Sequence, residues 1–240
     1  MDFREMIARR AALELSDGEV VNLGFGMPTA AANYIPAGVN VILQSENGCL
    51  MFGPTPKLGE QDADVANAGG QPITLLPGAC IFDLATSFMI IRGGHVDTTI
   101  LGALEVDKEG NIANWAMPIA PGKYSPGMGG AMDLVVGARK VVATLQHNDK
   151  KGNSKILKKC LLPLTGKGVV DVIITDKAVF NVISQGLILK ELAPGFSVED
   201  IKQMTEAEFA IADDLCEYRL YPGSAKLSDC QVAATVECLV

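Results

Sequence analysis

The chain has 240 residues, 48% hydrophobic and 20% charged, the balance of a chain that buries a core and not of one that stays disordered. Its length suits one large domain, and its net charge of -8 sets a diffuse acidic field against nucleic acid and anionic membrane as partners. That field does not exclude an anionic small molecule, because a local cluster of donors holds a phosphate against the global sign.

Residues 2–16 read as a helix, with Asp2 as cap and Glu5 three positions later in a capping-box arrangement. Phe3, Met6, Ile7 and Leu13 mark its apolar face. A short strand over 19–23 ends at Gly24-Phe25-Gly26, and Pro28 suits the first turn of a helix that 29–32 continue. The apolar run 39–43 stops at Ser45-Glu46-Asn47-Gly48, and 53–72, rich in Gly, Pro and Asp, reads as a long loop. Residues 73–76 form a third strand, closed by Pro77-Gly78. Residues 81–92 form a helix with Asp83 early and Arg92-Gly93-Gly94 as its stop.

A strand over 97–101 follows, then a hairpin around Asp107-Lys108-Glu109-Gly110. Residues 118–130 read as loop, and the apolar runs 134–136 and 141–145 flank a basic turn, Arg139-Lys140. Lys150, Lys151, Lys155, Lys158 and Lys159 read as a solvated basic helix, with a contact to a ligand phosphate as the weaker alternative. Residues 169–175, mostly β-branched, are the clearest strand. Two short capped helices follow, one after Ser197 and one after Thr205 with Glu208 three later.

Strands alternating with helices, several of them continuously apolar, predict an α/β fold. Its sheet is open and mainly parallel, flanked by helices and mixed where 97–145 is hairpin-like. Residues 1–218 form the domain, and 219–240 read as a loosely ordered tail. The six cysteines contain no CxxC pair, and the opening MDFREMIARR lacks the apolar core of a signal peptide. No apolar run reaches the roughly 20 residues of a membrane helix. These features predict a cytoplasmic chain with reduced thiols. His95 and His147 have no evident metal partners, so no metal site is expected.

Three clusters invite a chemical reading. Glu46 follows an apolar strand, where sites of open α/β sheets collect, and a carboxylate there serves as base or nucleophile; Asn47-Gly48 equally marks an ordinary exposed turn. Gly127-Met128-Gly129-Gly130 lets backbone N–H groups approach a ligand as an oxyanion hole does, or is simply a tight loop before a strand at Leu134. Gly24-Phe25-Gly26 is no dinucleotide fingerprint, since Thr29 stands at the third glycine position.

Taken in order, VNLGFGMPTAAANYIP, LQSENG, NAGG, LPGA, IRGGHVD, LGALEVD, GNIANW, GMGGAMDLV and KKCLLPLTGKG resemble the B subunit of family I CoA-transferases. This is the acetate/butyrate–acetoacetate and succinyl-CoA:3-oxoacid group, and the resemblance spans 5–210. It implies the CoA-transferase or NagB/RpiA-like fold, and a separate A subunit that completes the site, in a heterotetramer of two A and two B chains. CoA enters as substrate and covalent intermediate, with no permanently bound cofactor. The glutamate of the SENG motif, here Glu46, is implied as nucleophile, and Gly130 as the backbone donor to the oxyanion. Asn47 and Gly48 would shape the Glu46 turn, Gly127 and Gly129 the donor loop, and Gly24 and Gly26 the approach of the neighbouring chain.

The implied reaction moves CoA between acetyl-, butyryl- or acetoacetyl-CoA and a free acid such as acetoacetate, by ping-pong kinetics. Relatives specific for 3-oxoadipate or succinate share these motifs. An acyl-CoA hydrolase with Glu46 as base, and a degenerate non-enzymatic partner subunit, are the rival readings. Two departures stand out: the segment 115–123 is longer than in the relatives, and Gly70 stands where fused-chain relatives carry a lysine after NAG.

Overall fold

The computed structural model describes residues 2–220, so most of the expected tail, 221–240, lies outside the described residues. The chain begins with α1 (Phe3–Ala12), β1 (Val20–Leu23), a short α2 (Met27–Ala30) and a 3-10 turn, then β2 (Ile42–Ser45) and β3 (Cys49–Phe52). After a long connection come β4 (Leu75–Ile81), α3 (Leu84–Arg92), β5 (Thr98–Gly102), β6 (Glu105–Asp107) and β7 (Ile112–Ala113). Next are β8 (Ala116–Ala120), β9 (Lys123–Pro126), α4 (Ala131–Gly137), β10 (Lys140–Thr144), β11 (Ile156–Leu157) and β12 (Val172–Ile174). The described part ends with β13 (Ala178–Ile183), β14 (Gly186–Leu192), α5 (Val198–Met204) and β15 (Phe209–Glu217).

Ten strands make one sheet in the order β15-β14-β13-β12-β10-β5-β1-β2-β3-β4. The middle five, β12-β10-β5-β1-β2, run parallel. Burial on both faces explains their mainly apolar character. Along β10 the side chains alternate between two cores: Val141 and Ala143 face a cluster with Ile91 of α3, Leu134 of α4 and Ile201 of α5. Val142 faces Ile7 and Ala11 of α1 on the other side. Arg10 of α1, 2% exposed, reaches through the second layer to Glu191 of β14, 1% exposed, at 2.6 Å. Glu14 and Arg219 complete that buried network, so neither charge is left uncompensated.

The expected mainly parallel, mixed α/β sheet is thus present, but its antiparallel strands stand at the flanks, at β2-β3-β4 and β12-β13-β14. The hairpins within 97–145 form small separate sheets.

Several local expectations need correction. Asp2 precedes α1 without a side-chain cap, and the Glu5 side chain, expected to reach back to it, accepts from Arg9 one turn later. Pro77-Gly78 does not close β4; an edge strand tolerates a residue without an N–H, and β4 is the outermost strand. Within 118–130 the hairpin β8–β9 forms, and Leu134–Val136 belong to α4 and not to a strand.

The lysine-rich segment is no helix. Asp149 accepts from the N–H groups of Lys151 (2.7 Å) and Asn153 (2.8 Å), a turn that competes with helix formation. The capping box at Ser197 is formed with Asp200. No helix follows Thr205, which instead ends α5 and donates to Ile201 O at 2.6 Å. Strands β13 and β14, and β15 after Thr205, went unread in the sequence.

Candidate active site

Glu46 stands at the tip of the β2–β3 turn, at the carboxyl end of a parallel strand. The chain steps from β1 outward to β2 and later returns to β5 on the other side of β1, so the topological switch lies next door. The segment is a tight hairpin turn, but its acid is partly buried and set against other elements, unlike an ordinary exposed turn residue. Gly48 N donates to Ser45 O at 3.0 Å. Gly48 has φ +115°, and a Cβ there would lie 2.0 Å from Phe82 O, so only glycine fits. Asn47 donates to Ala66 O at 2.8 Å, and Ser45 Oγ accepts from Ala68 N at 2.9 Å. These two bonds pin the long connection beside the turn.

From the opposite side comes the loop before α4. Gly130 N donates to Glu46 Oε1 at 3.3 Å. A Cβ at Gly130 would stand 2.7 Å from Glu46 Oε2 and 3.1 Å from Phe88 Cζ, so the absence of a side chain is what lets this backbone close on the carboxylate. A Cβ at Gly129 would lie 3.5 Å from Oε1, whereas one at Gly127 would meet nothing within 4 Å. Burial pushes the Glu46 carboxyl pKa up; the Gly130 N–H opposes this, and the charge of Asp133 adds to it.

Beside Glu46 is a hollow of about 110 Å³ lined by Asn22, Gly24, Phe25, Gln44 and Asn67, among others. Gly24 touches β5 closely, with a would-be Cβ 2.9 Å from Leu101 Cδ2, and Thr29 Oγ donates to Gly24 O at 2.8 Å. Gly26 begins α2 with φ +89° and faces open space. Beneath the hollow lies a buried polar ladder that the sequence reading missed. Asn22 donates to Gln44 Oε1 at 2.7 Å, and Gln44 donates to Ser87 Oγ at 3.0 Å. The available signal was a polar residue inside each of two otherwise apolar strands, Asn22 in β1 and Gln44 in β2, which the parallel register sets side by side.

Other candidates fall away from this place. A larger hollow of about 760 Å³ lies beyond β5 and β10, lined by Glu105, Asp149, Lys150 and Lys155 among others, and contains none of the expected site residues. Its charges are of both signs, whereas at Glu46 a single carboxylate meets a fixed backbone donor from the loop before α4. His147 is buried, each ring nitrogen against a threonine hydroxyl, Thr175 at 3.0 Å and Thr205 at 2.8 Å. Burial pushes the Cys49 thiol pKa up, away from a reactive thiolate. Among the described residues no group of three or more His, Cys, Asp or Glu is arranged to hold a metal ion, and no helix is long and apolar enough to cross a membrane.

Comparison with known proteins bears on this geometry. Residues 4–204 match the coenzyme A transferase family. The chain is 52% identical over 223 residues to the beta subunit of the acetate CoA-transferase of Haemophilus influenzae, covering 92% of this chain and 97% of that protein. It is 51% identical over 208 residues to the B subunit of the succinyl-CoA:3-ketoacid coenzyme A transferase of Helicobacter pylori, covering 87% and 99%. In fold it resembles an acyl-CoA transferase of Escherichia coli O157:H7 solved as a thioester complex with CoA. There the TM-score is 0.69 at 24% identity, over 94% of this chain and 45% of that one. With the family matched over most of its length and relatives identical at half their positions, this chain belongs to the coenzyme A transferase family of enzymes.

Proposed function

We propose that the chain is the nucleophile-bearing B subunit of a cytoplasmic CoA-transferase, active with an A subunit in a complex of two A and two B chains. The observation that carries the reading is the Glu46 carboxylate at the edge of a small hollow with the Gly130 N–H 3.3 Å away. In the first step Glu46 attacks the acyl-CoA carbonyl carbon, and the C–S bond breaks to give an acyl-glutamyl anhydride and CoA thiolate. The thiolate then attacks the glutamyl carbonyl of the anhydride. The C–O bond breaks, the first carboxylic acid leaves as its anion, and a glutamyl-CoA thioester remains. A second carboxylate runs the two steps in reverse, restoring free Glu46.

The thiolate's attack on the glutamyl carbonyl puts negative charge on a Glu46 oxygen, and the Gly130 N–H, 3.3 Å from Glu46 Oε1, is the donor in reach of it. Attack needs the Glu46 anion. Because its pKa is raised, the anion forms at higher pH than in an ordinary glutamate, and adduct formation falls as pH drops through that raised value. CoA is therefore substrate and covalent intermediate, and the chemistry calls for no resident cofactor.

For the acyl group we favour short uncharged chains, acetyl, butyryl or acetoacetyl. The relatives named for acetate and for succinyl-CoA:3-ketoacid are 52% and 51% identical to this chain, so identity does not separate the two. The residues lining the Glu46 hollow include no Lys, Arg or His, so this chain offers no counter-charge to the second carboxylate of a succinyl group. The test is product analysis of the reconstituted pair with acetyl-CoA, acetoacetate present or absent. Acetoacetyl-CoA formed only with the acceptor supports transfer. Equal CoA release in its absence would mean hydrolysis.

A further inference from the structure

Two motifs named in the sequence, IRGGHVD and GMGGAMDLV, each contribute a charged residue that the chemistry above does not use. They meet in space. Arg92, the last residue of α3, donates from Nε to Asp133 Oδ1 in the first turn of α4 at 2.7 Å. The two helices touch on either side of this pair. Phe88 of α3 lies against Gly130, where a Cβ would be 3.1 Å from its ring. At the far end a Cβ on Gly137 would stand 2.3 Å from Ile91 O, so the backbones are in direct contact. The Arg92 guanidinium also lies over the Phe88 ring, 5.4 Å from its centre. One cation therefore grips both the aromatic ring that backs Gly130 and the carboxylate three residues after it.

We infer that Arg92 and Asp133 are positioning residues for the Glu46 site. Their ion pair acts on Glu46 through charge, Arg92 neutralising the Asp133 carboxylate at the head of α4. The inference deepens the reading of Glu46 as nucleophile and rests on it. The charges around Glu46 are few. The β2–β3 turn brings uncharged Asn47, and the pinned connection at 66–69 brings none. At the head of α3 Asp83 is taken up by the N–H of Thr86 at 2.7 Å, and at its tail stands Arg92. From α4 comes Asp133, whose negative charge opposes ionisation of Glu46. With Arg92 in place that opposition is partly cancelled; without it, Asp133 acts in full.

The pair is half open to water, with Arg92 66% exposed, so its contribution to stability is small and its replacement leaves the fold standing. The test is a titration of Glu46 in the full-length chain, carrying carboxyl-labelled glutamate, by carbon NMR, with E46Q to assign the signal. Asp133→Asn is expected to move the Glu46 midpoint to lower pH, and Arg92→Gln to higher pH. Arg92→Lys, which keeps the charge, is expected to stay near the parent. The double variant is expected to fall back towards Asp133→Asn alone, because Arg92 acts through Asp133.

The acid limb of kcat/KM in the reconstituted pair should move in the same two directions. Midpoints that do not move, or that move the same way in both single variants, would overturn the inference and show a merely structural contact. The titration is made on the chain with its Glu46 carboxyl free, so it is read whether or not Glu46 forms an adduct during turnover. Failure of the nucleophile reading shows separately, as a parent enzyme that forms no adduct at Glu46.

Discussion

At Glu46 several influences act on one carboxyl group. Burial raises its pKa, the Gly130 N–H partly offsets that, and Asp133 adds to the rise. A carboxylate that ionises less readily is also a better nucleophile once ionised, so the same surroundings that delay the anion sharpen it. Gly130 carries a double duty, as donor and as the residue whose missing side chain gives the carboxylate room. In Gly130→Ala the N–H remains but the new methyl would overlap Glu46 Oε2 and push the carboxylate off its donor, so kcat is expected to fall, at most by the roughly 10²–10³-fold that loss of one such donor costs. Unchanged turnover in that variant would remove Gly130 from the account. Glu46 and Gly130 were singled out through the resemblance that their motifs carry, since by pattern alone one read equally as a turn acid and the other as a tight loop. The Asn22–Gln44–Ser87 ladder was not, because it arises only when β1, β2 and α3 come together across 65 positions, from residue 22 to residue 87.

Elements were readable where one pattern had one meaning. Val198–Met204 carried its own cap, and the helix is there. Three apolar residues, Leu134–Val136, fit a helix or a strand equally, and only the close approach of Gly137 to Ile91 O shows why this piece coils against α3. Pro77-Gly78 reads as a stop in isolation, yet an edge strand carries it. The β2–β3 turn depends on Gly48 more than on the Asn-Gly pattern as such. Gly48→Ala combines a left-handed φ with overlap on Phe82 O, and is expected to lower stability by about 1–3 kcal/mol or more, measured by denaturant unfolding. A midpoint equal to that of the parent would mean that the turn relaxes freely and does not hold Glu46 rigidly.

Across the whole molecule, the class of the sheet was visible in alternating apolar runs, while its order was not. Strands β13, β14 and β15 join at one flank through pairings that no local pattern announces. Where they meet the parallel core, His147 is buried against Thr175 and Thr205, and burial, with Lys177 nearby, pushes its pKa down to about 3. Unfolded, the same ring takes up a proton near the ordinary value of about 6.5. The unfolded chain thus binds more protons between those two values, so stability is full above the upper one and is lost as pH falls through the window. The expected slope from this group is about 1.4 kcal/mol per pH unit in guanidinium unfolding, and His147→Gln should flatten it. An unchanged slope in the variant would place the acid sensitivity elsewhere.

The most direct test of the central claim is mass spectrometry of the reconstituted A–B pair after incubation with acetoacetyl-CoA and borohydride. A glutamyl-CoA thioester is reduced to an alcohol, so the peptide carrying Glu46 is predicted to exchange one oxygen for two hydrogens, with no change in a Glu46→Gln control. An active pair whose Glu46 peptide keeps its mass would contradict the covalent mechanism and put the nucleophile elsewhere.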